Sequence, residues 1–156
     1  RETIMQMARD TVIESVEKYI DVKPRNYFKY FKSLYSAFMP DGTLLMPDIA
    51  NMTRDEVIDN TMEIVKRVYE LKMMMVPDYE LAQQEKDILL EVVDTYWVDH
   101  IDLMDQMRQS VGLVSVAQKD PVKEYTIEGY KMFESLNRKI RRETLKFVFT
   151  FDEEDE

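Results

Sequence analysis

The chain has one histidine, His100, and histidine is the side chain that most readily titrates or binds a metal near neutral pH. A di-iron helical bundle takes Glu-x-x-His motifs from two of its helices, and the sequence contains no such motif. Without cysteine, the chain can form neither a disulfide nor a thiolate zinc site. We therefore interpret His100 as a partly buried residue near Trp97, with Trp97 as a packing anchor, and we expect no metal site.

Acidic side chains are concentrated from Asp78 to Asp105, where nine carboxylates accompany one basic residue, Lys86. Paired carboxylates can act as general acid and general base. However, the sequence shows no nucleophile beside a base and no Gly-x-x-x-x-Gly-Lys-Ser/Thr loop to hold phosphate. We expect these acidic residues to form a solvated helix face, and we expect neither catalytic residues nor a cofactor in this chain.

Basic side chains are concentrated later, from Lys131 to Lys146, with six basic residues against two acidic ones. This cluster could bind anionic lipid headgroups. Salt bridges to the acidic segment or to other domains are the favoured interpretation. The formal net charge of −10 argues against nucleic acid as a general partner, because phosphate binding needs a positive surface.

Methionine is abundant, with 12 residues that include the consecutive Met73, Met74 and Met75. Flexible thioethers fill irregular gaps in cores, and they also line adaptable peptide-binding surfaces. Local packing is the favoured interpretation of the triplet. A surface that contacts an unfolded polypeptide is the alternative.

The segments that carry these residues are predicted to be helices. The 156 residues include 3 glycines and 5 prolines, too few for the many turns of a sandwich or barrel, so we expect an all-α fold. No apolar run approaches the ~18 residues of a membrane span. Apolar residues at steps of three and four predict helices over residues 2–20, 27–38, 54–75, 78–111 and 121–149.

Capping signals mark several of the helix ends. Thr53-x-x-Glu56 predicts a capping box at the start of the third helix. Gly112 has the residue type of a left-handed C-cap, which predicts the end of the fourth helix. Asp120-Pro121 predicts the start of the last helix, with aspartate as N-cap and proline at the first helical position. Between Gly112 and Asp120 we expect a loop.

These elements predict three regions. We expect a small helical domain over residues 1–77, a long antiparallel two-helix hairpin over residues 78–150 and an acidic tail over residues 151–156. The apolar spacing on both long helices suits antiparallel coiled-coil packing, and the opposite charges of the two arms favour this orientation. Gly129 lies on the predicted seam, where it would permit close approach.

Several motifs follow one another in the second half of the chain: Asp94-x-x-Trp97-x-x-His100, Met104-Asp105, Ala117-Gln118-Lys119-Asp120-Pro121-x-x-Glu124-Tyr125 and Met132-Phe133. In order and spacing they resemble the C-terminal part of the SecA family, the motor subunit of the bacterial preprotein translocase. The resemblance covers about residues 87–149. Upstream of Asp87, position and helical character suit the helical wing domain of that family.

The resemblance implies that the hairpin is the two-helix finger, whose tip enters the cytoplasmic mouth of the SecY channel and contacts the translocating preprotein. It implies ATP and magnesium in motor domains outside this chain, and a peripheral location on the cytoplasmic, inner face of the bacterial plasma membrane. The implied tip residues are Gly112, Leu113, Val114, Ser115, Val116, Ala117, Gln118 and Lys119. The implied structural residues of the hairpin are Trp97, His100, Asp120, Pro121, Tyr125 and Phe133.

The tip departs from the family pattern at two positions. Val116 stands where the family places an aromatic residue against the substrate, and Val114 stands where it places a basic one, which indicates a divergent or accessory member. Because the sequence begins with Arg1, we expect a segment of a longer motor protein that does not hydrolyse ATP by itself. A stand-alone helical adaptor and an enzyme in its own right are the alternatives.

Overall fold

A computed structural model describes residues 2–38, 48–116 and 120–150 of the chain. These residues form five helices and no strand: α1 (Glu2–Tyr19), α2 (Tyr27–Phe38), α3 (Arg54–Met75), α4 (Asp78–Val116) and α5 (Pro121–Phe149). The prediction of an all-α fold is confirmed. The predicted bounds of α2, α3 and α5 agree with the structure, and α1 ends one residue before its predicted end.

The fourth helix is longer than predicted. It continues to Val116, so the prediction that Gly112 caps it is wrong, and residues 113–116 are helical instead of forming a loop. A glycine inside a helix costs only about 1 kcal/mol. The next proline is Pro121, so no residue of this stretch lacks the N–H group that a helix requires.

The helices belong to two compact units. The first comprises Arg1–Ile88 together with Thr144–Glu156, and the second comprises Leu89–Glu143. The division falls inside α4 and inside α5. The start of α4 and the end of α5 therefore belong with α1, α2 and α3. The domain boundary expected after residue 77 stays a prediction.

The core of the first unit is built on four-residue helical spacing. Helix α1 packs against α2 and α3, and the recurring buried residues are Ile4, Ala8, Val12 and Val16 on α1 and Tyr30, Leu34 and Phe38 on α2. The ring of Phe149 meets that of Phe38 edge-on, with centroids 5.1 Å apart, and lies 6.0 Å from the ring of Tyr69. The last residue of α5 is thus part of the core that the earlier helices form.

The aromatic and methionine clusters of the sequence behave differently. The aromatic face of α2 is largely in the core, as predicted, with Tyr30 and Phe38 buried and Phe28 exposed. The prediction that the methionine triplet packs locally is wrong for two of its residues, because the side chains of Met74 and Met75 are 83% and 74% exposed. They lie in the last turn of α3, where the helix leaves the core and Pro77 follows.

Two helix starts are capped by the predicted side chains. The Thr53 hydroxyl accepts a hydrogen bond from the backbone N–H of Glu56 at 3.3 Å, which is the hydroxyl half of the capping box. The Asp120 carboxylate accepts hydrogen bonds from the backbone N–H groups of Val122 and Lys123, at 3.1 and 3.3 Å. These contacts satisfy N–H groups that the first turn of a helix cannot pair internally.

Buried hydroxyl groups of the first unit differ in their pairing. Tyr30 Oη and Thr61 Oγ1 lie 2.7 Å apart, and both side chains are buried. Thr144 is fully buried, and its hydroxyl has no hydrogen-bond partner among the described residues. A buried polar group without a partner keeps its desolvation cost and gains nothing in return.

Replacing threonine by valine should have opposite effects on stability at Thr144, whose hydroxyl has no partner among the described residues, and at Thr61, whose hydroxyl is paired. Thr144→Val should raise the free energy of unfolding by about 1 kcal/mol, because it removes an unpaired buried hydroxyl at nearly constant shape. Thr61→Val should lower it by about 1–3 kcal/mol, because the buried Tyr30 hydroxyl loses its partner. Urea unfolding of the 156-residue chain, followed by circular dichroism, measures both. Destabilisation by Thr144→Val would show that the hydroxyl is paired after all.

Tyr30 also predicts a loss of stability in alkali. Burial raises the pKa of Tyr30 from the ordinary tyrosine value of 10.0 to about 12, against the smaller opposing effect of its hydrogen bond to Thr61. As the pH rises, the Tyr30 hydroxyl loses its proton in the unfolded chain before it does so in the folded one. The stabilising contribution of the protonated hydroxyl is therefore complete below pH 10 and disappears between pH 10 and 12. The loss is about 2–3 kcal/mol at most. Unfolding of Tyr30→Phe should depend less steeply on pH in this interval than unfolding of the parent, and equal slopes would contradict the assignment.

Candidate functional site

Within the second unit, side chains of α4 and α5 meet in opposite order along the chain. Met104 and Met107, in the C-terminal half of α4, lie beside Gly129 of α5. Tyr96, earlier in α4, lines the same hollow as Lys139, later in α5. The buried apolar residues among the described part of this unit are Val92, Met107 and Leu136.

Gly129 lies between the two helices but does not bring their backbones into close contact. A Cβ atom built on Gly129 would lie 3.8 Å from the Cε atoms of both Met104 and Met107, which is ordinary van der Waals contact. Both neighbours are the mobile ends of flexible side chains. Gly129 therefore faces α4, as the predicted seam requires, and the atoms nearest to it are side-chain atoms, not backbone.

A cleft of about 520 Å³ runs between the two helices toward their tip ends. Leu103, Met107 and Met132 supply its apolar side chains, and Glu124 and Glu128 supply carboxylates. Glu128 also forms an exposed ion pair with Lys131 at 3.5 Å. An open cleft with thioethers and carboxylates can accept apolar side chains of a polypeptide and can attract its basic ones.

The single histidine lies in a separate, much smaller hollow of the same unit. His100 is half-buried and lines a space of about 60 Å³ with Asp99 and Lys139 among its neighbours. Its ring lies 5.5 Å from that of Trp97, which is itself 47% exposed. Among the described residues, no group of three or more histidine or carboxylate side chains is placed to hold a metal ion.

Two other hairpin residues of the predicted set are exposed aromatics on α5. The side chains of Tyr125 and Phe133 are 38% and 48% exposed. On the same helix, the hydrogen bond from Tyr130 to the Glu134 carboxylate raises the pKa of Tyr130. Helix α5 therefore carries partly exposed aromatic rings together with charged groups.

The predicted tip lies only partly within the described residues. Gly112, Leu113, Val114, Ser115 and Val116 form the last turns of α4, and their side chains lie outside the described part. Ala117, Gln118 and Lys119 lie outside it entirely. Asp120 caps α5, and Pro121 is the first residue of that helix.

Residue spacing alone does not predict the cleft. Glu124, Glu128 and Met132 recur at four-residue steps, so one face of α5 carries them. On α4, Leu103 and Met107 have the same spacing. Both patterns also fit an ordinary packed seam, and only the pairing of the two helices shows that a gap opens between them.

None of the described helices is long and apolar enough to cross a membrane. The chain matches the family model of the SecA Wing and Scaffold domain over residues 1–152. It is 50% identical over 152 residues to protein translocase subunit SecA 2 of Clostridioides difficile strain 630, covering 97% of this chain and 20% of that protein.

Similarity to other members is lower over nearly the same part of the chain. Protein translocase subunit SecA 1 of the same strain is 34% identical over 149 residues, which are 96% of this chain and 17% of that protein. The SecA of Clostridium beijerinckii is 33% identical over 153 residues, which are 96% of this chain and 18% of that protein. The chain thus spans about a fifth of the length of these relatives.

The surroundings of Gly129 predict a stabilising substitution. Gly129→Ala should raise the free energy of unfolding by up to about 1 kcal/mol, because alanine favours the helix and its methyl group meets no obstacle. Gly129→Phe is the matched control and should destabilise the chain, since a ring at this position must displace Met104 and Met107. Thermal unfolding followed by circular dichroism measures both. A lower melting temperature for Gly129→Ala would show that the helices approach more closely than described.

Proposed function

The chain belongs to the SecA family of protein translocase subunits, and on that premise we propose that α4 and α5 form a hairpin that acts as a mechanical lever. The lever transmits movement of ATP-driven motor domains, which lie outside this chain, to a preprotein that passes through the SecY channel. The observation that carries the proposal is the match to the wing and scaffold domain over residues 1–152.

The geometry of the long helices supports a lever. Helix α4 has 39 residues, which correspond to about 58 Å at 1.5 Å per residue. Helix α5 has 29 residues, and its side chains meet those of α4 in opposite order. An α-helix is continuous hydrogen-bonded structure along its axis, so two such helices side by side can carry a displacement along their length.

The cleft between the helices supports a polypeptide as the substrate. A preprotein in transit exposes apolar side chains, and the thioethers of Met107 and Met132 adapt to varied shapes. Glu124 and Glu128 would attract basic residues of the same segment. The tip, residues 112–119, would contact the chain where it enters the channel.

The motor that drives this lever needs groups that this chain does not supply. ATP and magnesium would bind in the motor domains, and those domains with the SecY channel and the preprotein are the proposed partners. The protein would work peripherally at the inner face of the bacterial plasma membrane. Anionic lipid headgroups are a further proposed contact of the basic residues Arg138, Lys139, Arg141 and Arg142.

Two observations together favour an accessory member of the SecA family over a housekeeping one. The identity is 50% to a relative named SecA 2 and 34% to the SecA 1 of the same strain. In addition, Val114 and Val116 replace the basic and aromatic residues of the usual tip. We therefore assign the chain to an accessory SecA, whose tip holds substrate through aliphatic contacts.

A cysteine crosslink tests the lever at its tip. In the full-length protein, Val116→Cys should crosslink to a preprotein stalled in the SecY channel or to SecY itself, because the tip reaches the channel mouth. The segment contains no native cysteine that would compete. Gel analysis after mild oxidation against single-cysteine preprotein and SecY measures the yield.

Asn137→Cys is the matched control for this crosslink. Asn137 is exposed on α5, about 24 Å along the helix from Pro121, so it should crosslink much less. Absence of a crosslink from every cysteine placed at residues 114–119 would refute the lever. Such a result would favour a helical adaptor.

A further inference from the structure

One turn of α3 holds both long helices at their root. Tyr69 and Lys72 are three residues apart on α3, and both are buried although both are polar. The Tyr69 hydroxyl donates a hydrogen bond of 2.5 Å to Glu85 Oε1, near the start of α4. The Lys72 ammonium donates a hydrogen bond to the carbonyl oxygen of Val148, in the last turn of α5.

The helix end explains why an ammonium group is suitable at this place. The last carbonyl groups of a helix have no partner inside it, and they carry partial negative charge. Lys72 satisfies one of these carbonyls inside the core, where Thr144, Leu145 and Phe149 are also buried. A positive donor therefore gains more here than it would beside an ordinary backbone carbonyl.

Stability alone does not explain the polar contacts. Burying a charged or polar group costs free energy, and apolar residues of similar size often stabilise a core as well or better. Polar contacts add direction, because an ammonium group pairs only with an acceptor in the right place. If α5 slid or rotated by one residue, Val148 would move and Lys72 would lose this acceptor. The buried ring of Phe149 holds the same helix end by close packing, and the Lys72 contact adds a directional hydrogen bond to that packing.

We propose that Tyr69 and Lys72 are positioning residues that fix the register of the start of α4 against the end of α5. The hydrogen bond of Tyr69 reaches α4 and that of Lys72 reaches α5, and α3 is their common support. When the motor displaces one helix, the other therefore moves with it instead of sliding past it. This inference rests on the lever function proposed above.

Lys72→Met in the full-length protein tests the register contact. Methionine keeps the apolar stem and removes the donor. We expect the ATPase rate to be retained, and the amount of preprotein translocated per ATP hydrolysed to fall several-fold. Hydrogen exchange of the last-turn amides of α5 should accelerate about tenfold or more, as loss of a charged hydrogen bond predicts. Lys72→Arg keeps a donor, so it should restore part of the translocation per ATP and part of the protection of the α5 amides against exchange.

Lys66→Met is the matched control, since Lys66 is exposed on the same helix, and it should change neither quantity. If Lys72→Met does not fold, Tyr69→Phe tests the α4 contact by removing one oxygen atom. Accelerated exchange with an unchanged ratio of translocation to ATP would overturn the proposal, because the contacts would then be structural only. Failure of the parent protein to crosslink at its tip would instead refute the lever itself.

Discussion

The arrangement of this chain depends on one constraint, that the end of α5 lies in the core formed by the first three helices. Phe149 packs against Phe38 and Tyr69, and Val148 accepts a hydrogen bond from Lys72. The chain leaves this core within α4 and must return to it within α5. Helix α4 therefore begins in the first unit and α5 ends in it, and within the second unit the side chains of the two helices meet in opposite order.

The two units differ in how they obtain stability. The first unit buries the apolar faces of α1, α2 and α3 together with the ends of α4 and α5. In the second unit, the buried apolar side chains among described residues are Val92, Met107 and Leu136. The ion pairs that can be named there, Asp105 with Arg108 and Glu128 with Lys131, are exposed and join neighbours on one helix. Pairs of this kind contribute little.

The sequence was sufficient to predict the helices, and it was less informative about how they associate. Three helix starts could be predicted because local backbone chemistry determines them. They are the start of α3 at the Thr53 cap, the start of α4 after Pro77 and the start of α5 at Asp120-Pro121. Gly112 does not end α4 because glycine weakens a helix without blocking it. The exposure of Met74 and the cleft beside Glu124 could not be predicted, since both depend on which faces other helices cover. The roles of the tip residues came from the resemblance, because no local physical rule assigns them.

The second unit is sparsely packed among the residues that the structure describes. Its helices expose Trp97, Tyr130 and Phe133 to solvent, and they enclose an open cleft instead of a continuous core. Regions with few buried apolar contacts open at lower free energy than the core does. On the register proposal, the contacts that hold the two long helices lie in the better packed first unit, where the Tyr69 hydroxyl bonds Glu85 of α4 and the Lys72 ammonium bonds the Val148 carbonyl of α5.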